Sequence, residues 1–142
     1  GALQLSDLLV FDPVNPVDSL PQRLDLVLPL VHGPAHVTSG ARFGLYWEAY
    51  GLAPSEPIET SVDVTPLRGG LFSRIGGWIG LGKHRATRLS WRENAQPERD
   101  VVSRAVAVDV TGVAPGRYRL AVTVRARGQV VTTDREMEIA RR

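Results

Sequence analysis

The feature that most constrains this sequence is an alternation of apolar and polar side chains with a period of two, clearest from Arg117 to Arg127. Successive side chains of a β-strand point to opposite faces of a sheet, so such a segment buries one face and exposes the other. The predicted buried side chains are Tyr118, Leu120, Val122 and Val124, and the predicted exposed ones are Arg117, Arg119, Thr123 and Arg125. A helix would repeat its apolar residues every three to four positions, so the pattern predicts a strand.

A second strand is predicted directly after the first, over Val130–Ile139, with Gly128 between them. Two strands joined by so short a connection form an antiparallel hairpin. With Gly128 and Gln129 as the two turn residues, we expect Arg119 to face Glu138 across the hairpin.

One charged residue of the second strand, Arg135, shares the phase of the apolar residues Val131, Met137 and Ile139. In that phase its side chain points to the core side of the sheet. We expect either that this strand lies at a sheet edge or that Arg135 has a buried partner.

The same alternation recurs along the chain, interrupted by segments that contain proline and glycine. Further strands are predicted within residues 3–11, 24–30, 43–50, 58–65, 89–91 and 106–110. Helical periodicity is confined to one candidate segment, so an alternating βαβ chain with a parallel sheet is not expected. The sequence predicts an all-β fold, an antiparallel two-sheet β-sandwich of seven to eight strands.

The composition is that of one globular domain. The chain has 142 residues, 43% of them hydrophobic, and a chain of this size buries enough surface to fold without a disulfide or a metal. It contains no cysteine, which excludes disulfides, cysteine-ligated zinc, iron–sulfur clusters and a thiol nucleophile. We expect a single domain over residues 1–142 that uses no metal and no cofactor.

Charge and targeting signals are weak. The formal net charge is only +2. The strand that precedes Gly128 carries a row of arginines, and we expect Glu136 and Glu138 to neutralise much of its charge. The row consists of Arg117, Arg119, Arg125 and Arg127. No nucleic-acid partner is therefore predicted. No apolar run approaches the roughly 20 residues that span a bilayer as a helix. The chain begins with Gly1 rather than methionine, which is consistent with a piece cut from a longer protein.

A glycine-rich insertion, a loop or short helix, is predicted around residues 67–84. As a helix it would gather one apolar face with a basic end. The residues of this face and end are Phe72, Ile75, Trp78, Ile79 and Lys83. Two interpretations stay open: the apolar face caps the open end of the sandwich, or it binds a partner, with another protein favoured over a membrane surface.

Candidate catalytic and metal-binding residues are few. Lys83 ends a G-x-x-x-x-G-K pattern, but His84 stands where serine or threonine would hold magnesium. His32 and His36 are four residues apart, but Pro34 between them prevents the helix that would align their rings. No serine lies in a G-x-S-x-G pattern, so no catalytic site is predicted.

Tyr46, Glu48 and Tyr50 share one phase of the strand predicted over 43–50. If they are exposed, the two rings and the carboxylate form a strip of the kind that binds sugars, which makes carbohydrate binding the alternative function. The other interpretation is that neighbouring structure covers these rings, and we favour that burial.

The segment VAPGRYRLAVTVRARGQVVTTDREMEI resembles the closing hairpin of bacterial extracytoplasmic Ig-like and fibronectin III-like accessory domains, where a Pro-Gly turn and a tyrosine lead into the strand. GLYWEAYGL, with Trp47 on a central strand, fits the same class. The absence of a cysteine pair excludes the antibody type. The resemblance implies a β-sandwich module of a cell-envelope or secreted protein.

From these observations we predict a non-catalytic protein-interaction or structural module. Its expected setting is extracytoplasmic, in the periplasm or the cell envelope, if the longer chain carries a signal or anchor segment; otherwise the sequence leaves the compartment open. Its expected partner is another protein or the rest of its own longer chain. The sequence leaves the oligomeric state open, because a strand edge could pair two copies.

Overall fold

The computed structural model describes residues 2–11, 28, 36–38, 42–67, 87–95 and 101–140. These residues contain nine β-strands and no α-helix, and no helix among them could cross a membrane. The strands are β1 (Gln4–Leu5), β2 (Leu9–Phe11), β3 (His36–Thr38), β4 (Arg42–Tyr50), β5 (Pro57–Pro66), β6 (Thr87–Asn94), β7 (Val101–Asp109), β8 (Gly116–Ala126) and β9 (Gln129–Ala140). The all-β prediction is confirmed.

The strands form two sheets. In the first sheet, β4 pairs with β7 along one side and with β1 and β2 along the other, so β1 and β2 are two parts of one interrupted edge strand. The second sheet has the order β3-β9-β8-β5-β6. Every pairing is antiparallel except the short parallel contact of β3 with β9. The predicted two-sheet β-sandwich is therefore confirmed, with eight strands when β1 and β2 are counted as one.

The core lies between the inner faces of the two sheets. Those faces are apolar because every second residue of β4 and β8 is apolar, as the alternation predicted. They contribute the buried side chains Phe43, Leu45, Trp47, Ala49, Tyr118, Leu120, Val122 and Val124. Across the space between the sheets, the ring of Trp47 in the first sheet lies 6.0 Å, between centroids, from the partly buried ring of Trp91 in the second.

The register predicted for the β8–β9 hairpin is wrong, because the turn lies one residue earlier in the chain than expected. Arg127 and Gly128 form the turn, and Arg119 is opposite Glu136 rather than Glu138. Both turn residues have positive φ, +50° and +72°, as a type I′ turn requires. Moving the turn by one residue shifts each cross-strand partner by two, so the predicted faces of both strands are preserved.

The unusual phase of Arg135 is explained by a buried partner. Arg135 lies opposite Leu120 on the inner side of β9, and its Nη1 donates to the backbone carbonyl of Leu8 at 3.0 Å. Leu8 belongs to the segment between β1 and β2, so this contact joins the two sheets.

Part of the outer face of the first sheet is also buried. Phe11 and Tyr46 are 0% and 1% exposed there, and they pack with Ala105 in a second, smaller apolar cluster. Phe11 is paired with Gly44, and its ring lies over the position that a Cβ of Gly44 would occupy. Glycine at position 44 therefore provides the space for this ring.

Replacing Gly44 with alanine is expected to lower the free energy of unfolding by about 1 kcal/mol. The new Cβ overlaps the far end of the Phe11 ring, which can shift only slightly because it is fully buried. Urea unfolding of Gly44→Ala, Phe11→Leu and the double variant measures the effect. The overlap account requires that the alanine costs less in the Phe11→Leu background, and equal costs in both backgrounds would contradict it.

Candidate functional site

The outer face of the second sheet is exposed and carries cations and carboxylates side by side. Ion pairs join neighbouring strands in rows, because the residues in each pair lie opposite or diagonal in the register. These pairs are Arg88 with Asp63 at 3.5 Å, Arg92 with Glu59 at 3.6 Å, Arg117 with Glu136, and Arg119 with Asp134. Carboxylates of β9 thus neutralise two of the arginines that the sequence predicted on the exposed face of β8, Arg117 and Arg119.

A cavity of about 330 Å³ opens at the end of this face, beside the β8–β9 turn. Its lining includes three arginines, Arg92 of β6, Arg125 of β8 and Arg127 of the turn, together with Glu59 of β5. We call this site the arginine cavity and define it by Arg92, Arg125, Arg127 and Glu59. They meet because β5 lies between β6 and β8, so that Glu59 is opposite both Arg92 and Arg125.

Among its described lining residues, the arginine cavity has more cationic than acidic side chains. Glu59 is the acidic residue of its lining, and its Oε2 is 3.6 Å from Nε of Arg92. Among the described residues, no carboxylate forms an ion pair with Arg125. Among the residues that the structure describes, one carboxylate therefore faces two guanidinium groups, so these three side chains carry a net positive charge.

Arg127 is held by contacts with the segment between β4 and β5. Its Nε lies 2.6 Å from Oε2 of Glu56, and its Nη2 donates to the carbonyl of Gly51 at 2.7 Å. Glu56 is buried, with 5% of its side chain exposed, and its Oε1 accepts a hydrogen bond from the amide of Ala53 at 2.8 Å. These contacts fix the turn, and with it one wall of the arginine cavity.

A second charged cluster lies between the sheets, where β6 faces β7. Arg104 points inward beside Trp47, and its Nε donates to Oε1 of Glu93 at 2.6 Å. Trp91 donates from Nε1 to Oε2 of the same carboxylate at 2.6 Å. Burial by itself would raise the pKa of Glu93, but the hydrogen bonds from Arg104 and Trp91 and the charge of Arg104 outweigh it, so the pKa lies below its usual range.

The predicted Tyr46, Glu48 and Tyr50 strip is not exposed along its length. Tyr46 is buried, so its ring cannot stack on a sugar, and burial is the interpretation that holds for this residue. Tyr50 is partly exposed, and its hydroxyl donates to Oε1 of Glu48 at 3.1 Å. Burial, and then the Glu48 hydrogen bond, raise the pKa of Tyr50.

The other predicted site residues lie outside the part of the chain that the structure describes. They are the proposed partner-binding residues Phe72, Ile75, Trp78, Ile79 and Lys83, together with His32 and His84. The predicted strand over 24–30 also lies outside it, except for Leu28, and so does the insertion beyond Leu67. Within the described ranges, no three histidine or acidic side chains are placed to hold a metal ion.

The arginine cavity was not predicted from the sequence. The alternation in β8 placed Arg125 correctly on an exposed face, but no role was predicted for Arg92 or Glu59. Each of the three has the polar phase of its own strand. The missing information was the strand order β6-β5-β8, which brings the three side chains together.

No protein-family model matches the chain, and no curated protein matches it. Among solved structures, it is similar to the Pseudomonas fluorescens alkylpurine DNA glycosylase AlkC bound to DNA containing an abasic site analog, with a TM-score of 0.45 and 12% sequence identity. The match covers 97% of this chain and 30% of that chain. A similarity this low supports no conclusion about function.

Proposed function

We propose that this β-sandwich is a non-catalytic protein-interaction or structural module of a bacterial cell-envelope or secreted protein. The observation that carries the proposal is the exposed outer face of the second sheet, where the arginine cavity lies beside Val130, an apolar side chain that is 58% exposed. Arginine and apolar groups together are typical of protein interfaces. The partner is another protein or a further part of the same longer chain.

The pairing of charges on this face favours a protein over a nucleic acid. A phosphate-binding surface needs a continuous row of cations, because each phosphate contact replaces a counterion. Here Arg117 and Arg119 are each paired with a carboxylate of β9. In the described ranges, the remaining excess of positive charge lies at one end of the face, around Arg92 and Arg125, and suits a protein segment of opposite charge.

The Ig-like part of the proposal is supported by a contact at the start of β8. The hydroxyl of Tyr118 donates to the backbone carbonyl of Ala114, four residues earlier, at 2.5 Å. Ig-like sandwiches contain a similar tyrosine corner, in which a tyrosine near the start of a strand bonds back to the preceding loop. The extracytoplasmic setting is supported by the resemblance of the closing hairpin.

Site-specific photo-crosslinking in bacterial cells tests the proposal. A photoreactive phenylalanine analogue at Val130 samples the outer face of the second sheet, and the same analogue at Ala107 samples an exposed position of β7. We expect a discrete crosslinked protein from position 130, identified by mass spectrometry, and none from position 107. Equal products from both positions, or none from position 130, would contradict an interaction through this face.

A further inference from the structure

We infer that the arginine cavity binds glutamate side chains of an acidic segment in the partner protein. The inference rests on the proposed function, because it assigns the chemistry by which the outer face of the second sheet recognises its partner. Its basis is the arrangement of Arg92 and Arg125 on either side of a single carboxylate, Glu59.

The two guanidinium groups are available to a ligand. Arg92 has 85% of its side chain exposed, and its Nε is 3.6 Å from Oε2 of Glu59, a weak and solvated contact. Arg125 is exposed and forms no ion pair with any carboxylate in the described part of the chain. A guanidinium group presents parallel N–H donors that match the two oxygens of a carboxylate, so Arg125 can bind one in a bidentate manner.

The charge of the cavity is matched by one carboxylate. Arg92, Arg125 and Glu59 together carry a net charge of +1, which a single carboxylate monoanion balances. The incoming carboxylate replaces Glu59 as the partner of Arg92, so Glu59 acts as an internal competitor. Pro57 adds an apolar wall, against which the methylene groups of a glutamate side chain can pack.

The cavity is also built on a fixed frame. Three strands carry its side chains, and the turn that closes it is held by Arg127, whose guanidinium forms an ion pair with Glu56 and donates a hydrogen bond to the carbonyl of Gly51. Rigid placement reduces the entropy lost when a ligand orders the site. Arg127 therefore acts as a positioning residue, and Arg92 and Arg125 are the residues that touch the ligand.

The test is an NMR titration of the ¹⁵N-labelled chain with an end-blocked hexaglutamate peptide, with hexaglutamine as the neutral control. We expect saturable shifts of the amides of Glu59, Arg92 and Arg125 with hexaglutamate and none with hexaglutamine. Inorganic phosphate is titrated separately. Phosphate that binds the same amides more tightly than the peptide would overturn the assignment to carboxylates.

Three variants make the inference specific. Arg125→Gln is expected to weaken hexaglutamate binding about fivefold, since a good exposed ion pair contributes up to about 1 kcal/mol. Glu59→Gln is expected to strengthen it, because the competitor is removed. Arg117→Gln is the control: Arg117 is paired with Glu136 and lies about 26 Å from Arg125 along β8 at the usual rise per residue. Spectra of residues far from each substitution report whether the fold is unchanged.

The outcomes separate the inference from the proposed function. If Arg117→Gln and Arg125→Gln weaken hexaglutamate binding equally, the attraction is diffuse and not specific to the arginine cavity. If Glu59→Gln weakens hexaglutamate binding, Glu59 does not compete with the ligand. Either result overturns the carboxylate site. A crosslinked partner at position 130 without hexaglutamate binding would leave the interaction face in place and remove only this assignment. Hexaglutamate binding without a crosslinked protein at position 130 would confirm that the cavity binds carboxylates but would overturn the proposal that this face binds a partner protein.

Discussion

Replacing Arg127 with alanine is expected to lower the free energy of unfolding by about 3 kcal/mol, because it leaves a buried charge without its partner. The charge is the carboxylate of Glu56, which has 5% of its side chain exposed and lies 2.6 Å from Nε of Arg127. The same substitution removes the hydrogen bond to the carbonyl of Gly51. Urea unfolding at neutral pH, followed by tryptophan fluorescence, measures the change.

The charge explanation is separated from simple loss of contacts by a second variant. Glu56→Gln keeps an oxygen that can accept the hydrogen bond from the amide of Ala53 but removes the negative charge. The double variant of Glu56→Gln with Arg127→Ala should then be more stable than Arg127→Ala alone. A double variant that is less stable than Arg127→Ala would contradict the role of the buried charge.

The sequence was sufficient to predict the faces of the strands. Burial of one face imposes a period of two whatever the neighbouring strand is, so Leu120 and Trp47 could be assigned to the core from their own segments. The register of the β8–β9 hairpin, by contrast, could not be predicted from the alternation. Arg127-Gly128 and Gly128-Gln129 both contain the glycine that a tight turn needs, and the structure uses the pair in which Arg127 adopts positive φ. Contacts of Arg127 with Glu56 and Gly51 offset the cost of that conformation.

The polar contacts between the sheets could not be predicted, because they join residues that are far apart in the chain. Arg135 bonds to the carbonyl of Leu8, and the amide of Leu3 bonds to Oε1 of Gln129 at 3.0 Å. The phase of Arg135 placed its side chain on the core side of the sheet, but nothing local in the sequence shows which backbone group it will meet. The arginine cavity escaped prediction for the same reason, since it depends on strand order.

Replacing Arg104 with leucine is expected to lower the free energy of unfolding by about 2 kcal/mol at pH 7, less than for Arg127→Ala because the carboxylate left without its partner, Glu93, is less buried than Glu56. The exposed fractions are 25% for Arg104 and 18% for Glu93. Leucine retains apolar volume beside Trp47, so the cost comes mainly from the Glu93 carboxylate, which keeps only the hydrogen bond from Trp91.

This cost should shrink in acid. The folded pKa of Glu93 is below its ordinary value of 4.5, so the pair stabilises the wild-type fold above about pH 4.5 and loses that contribution as the pH falls through the folded pKa. Without Arg104, burial outweighs the Trp91 hydrogen bond and raises the folded pKa of Glu93 above 4.5, so the carboxyl protonates as the pH falls toward 4.5 and the variant is relieved of the buried charge. The difference in stability between wild type and Arg104→Leu must therefore narrow as the pH falls from 7 to 3.

The matched control is Arg119→Leu, which breaks the exposed pair with Asp134, whose side chains are 51% and 46% exposed. An exposed pair contributes less than about 1 kcal/mol and is screened by salt, so the loss at pH 7 should be smaller and should fall further in 0.5 M salt. Urea unfolding of wild type and both variants from pH 7 to pH 3 gives the comparison. If the Arg104→Leu difference is the same at pH 3 as at pH 7, or no larger than that of Arg119→Leu, then the Glu93 carboxylate is not held between the sheets by Arg104.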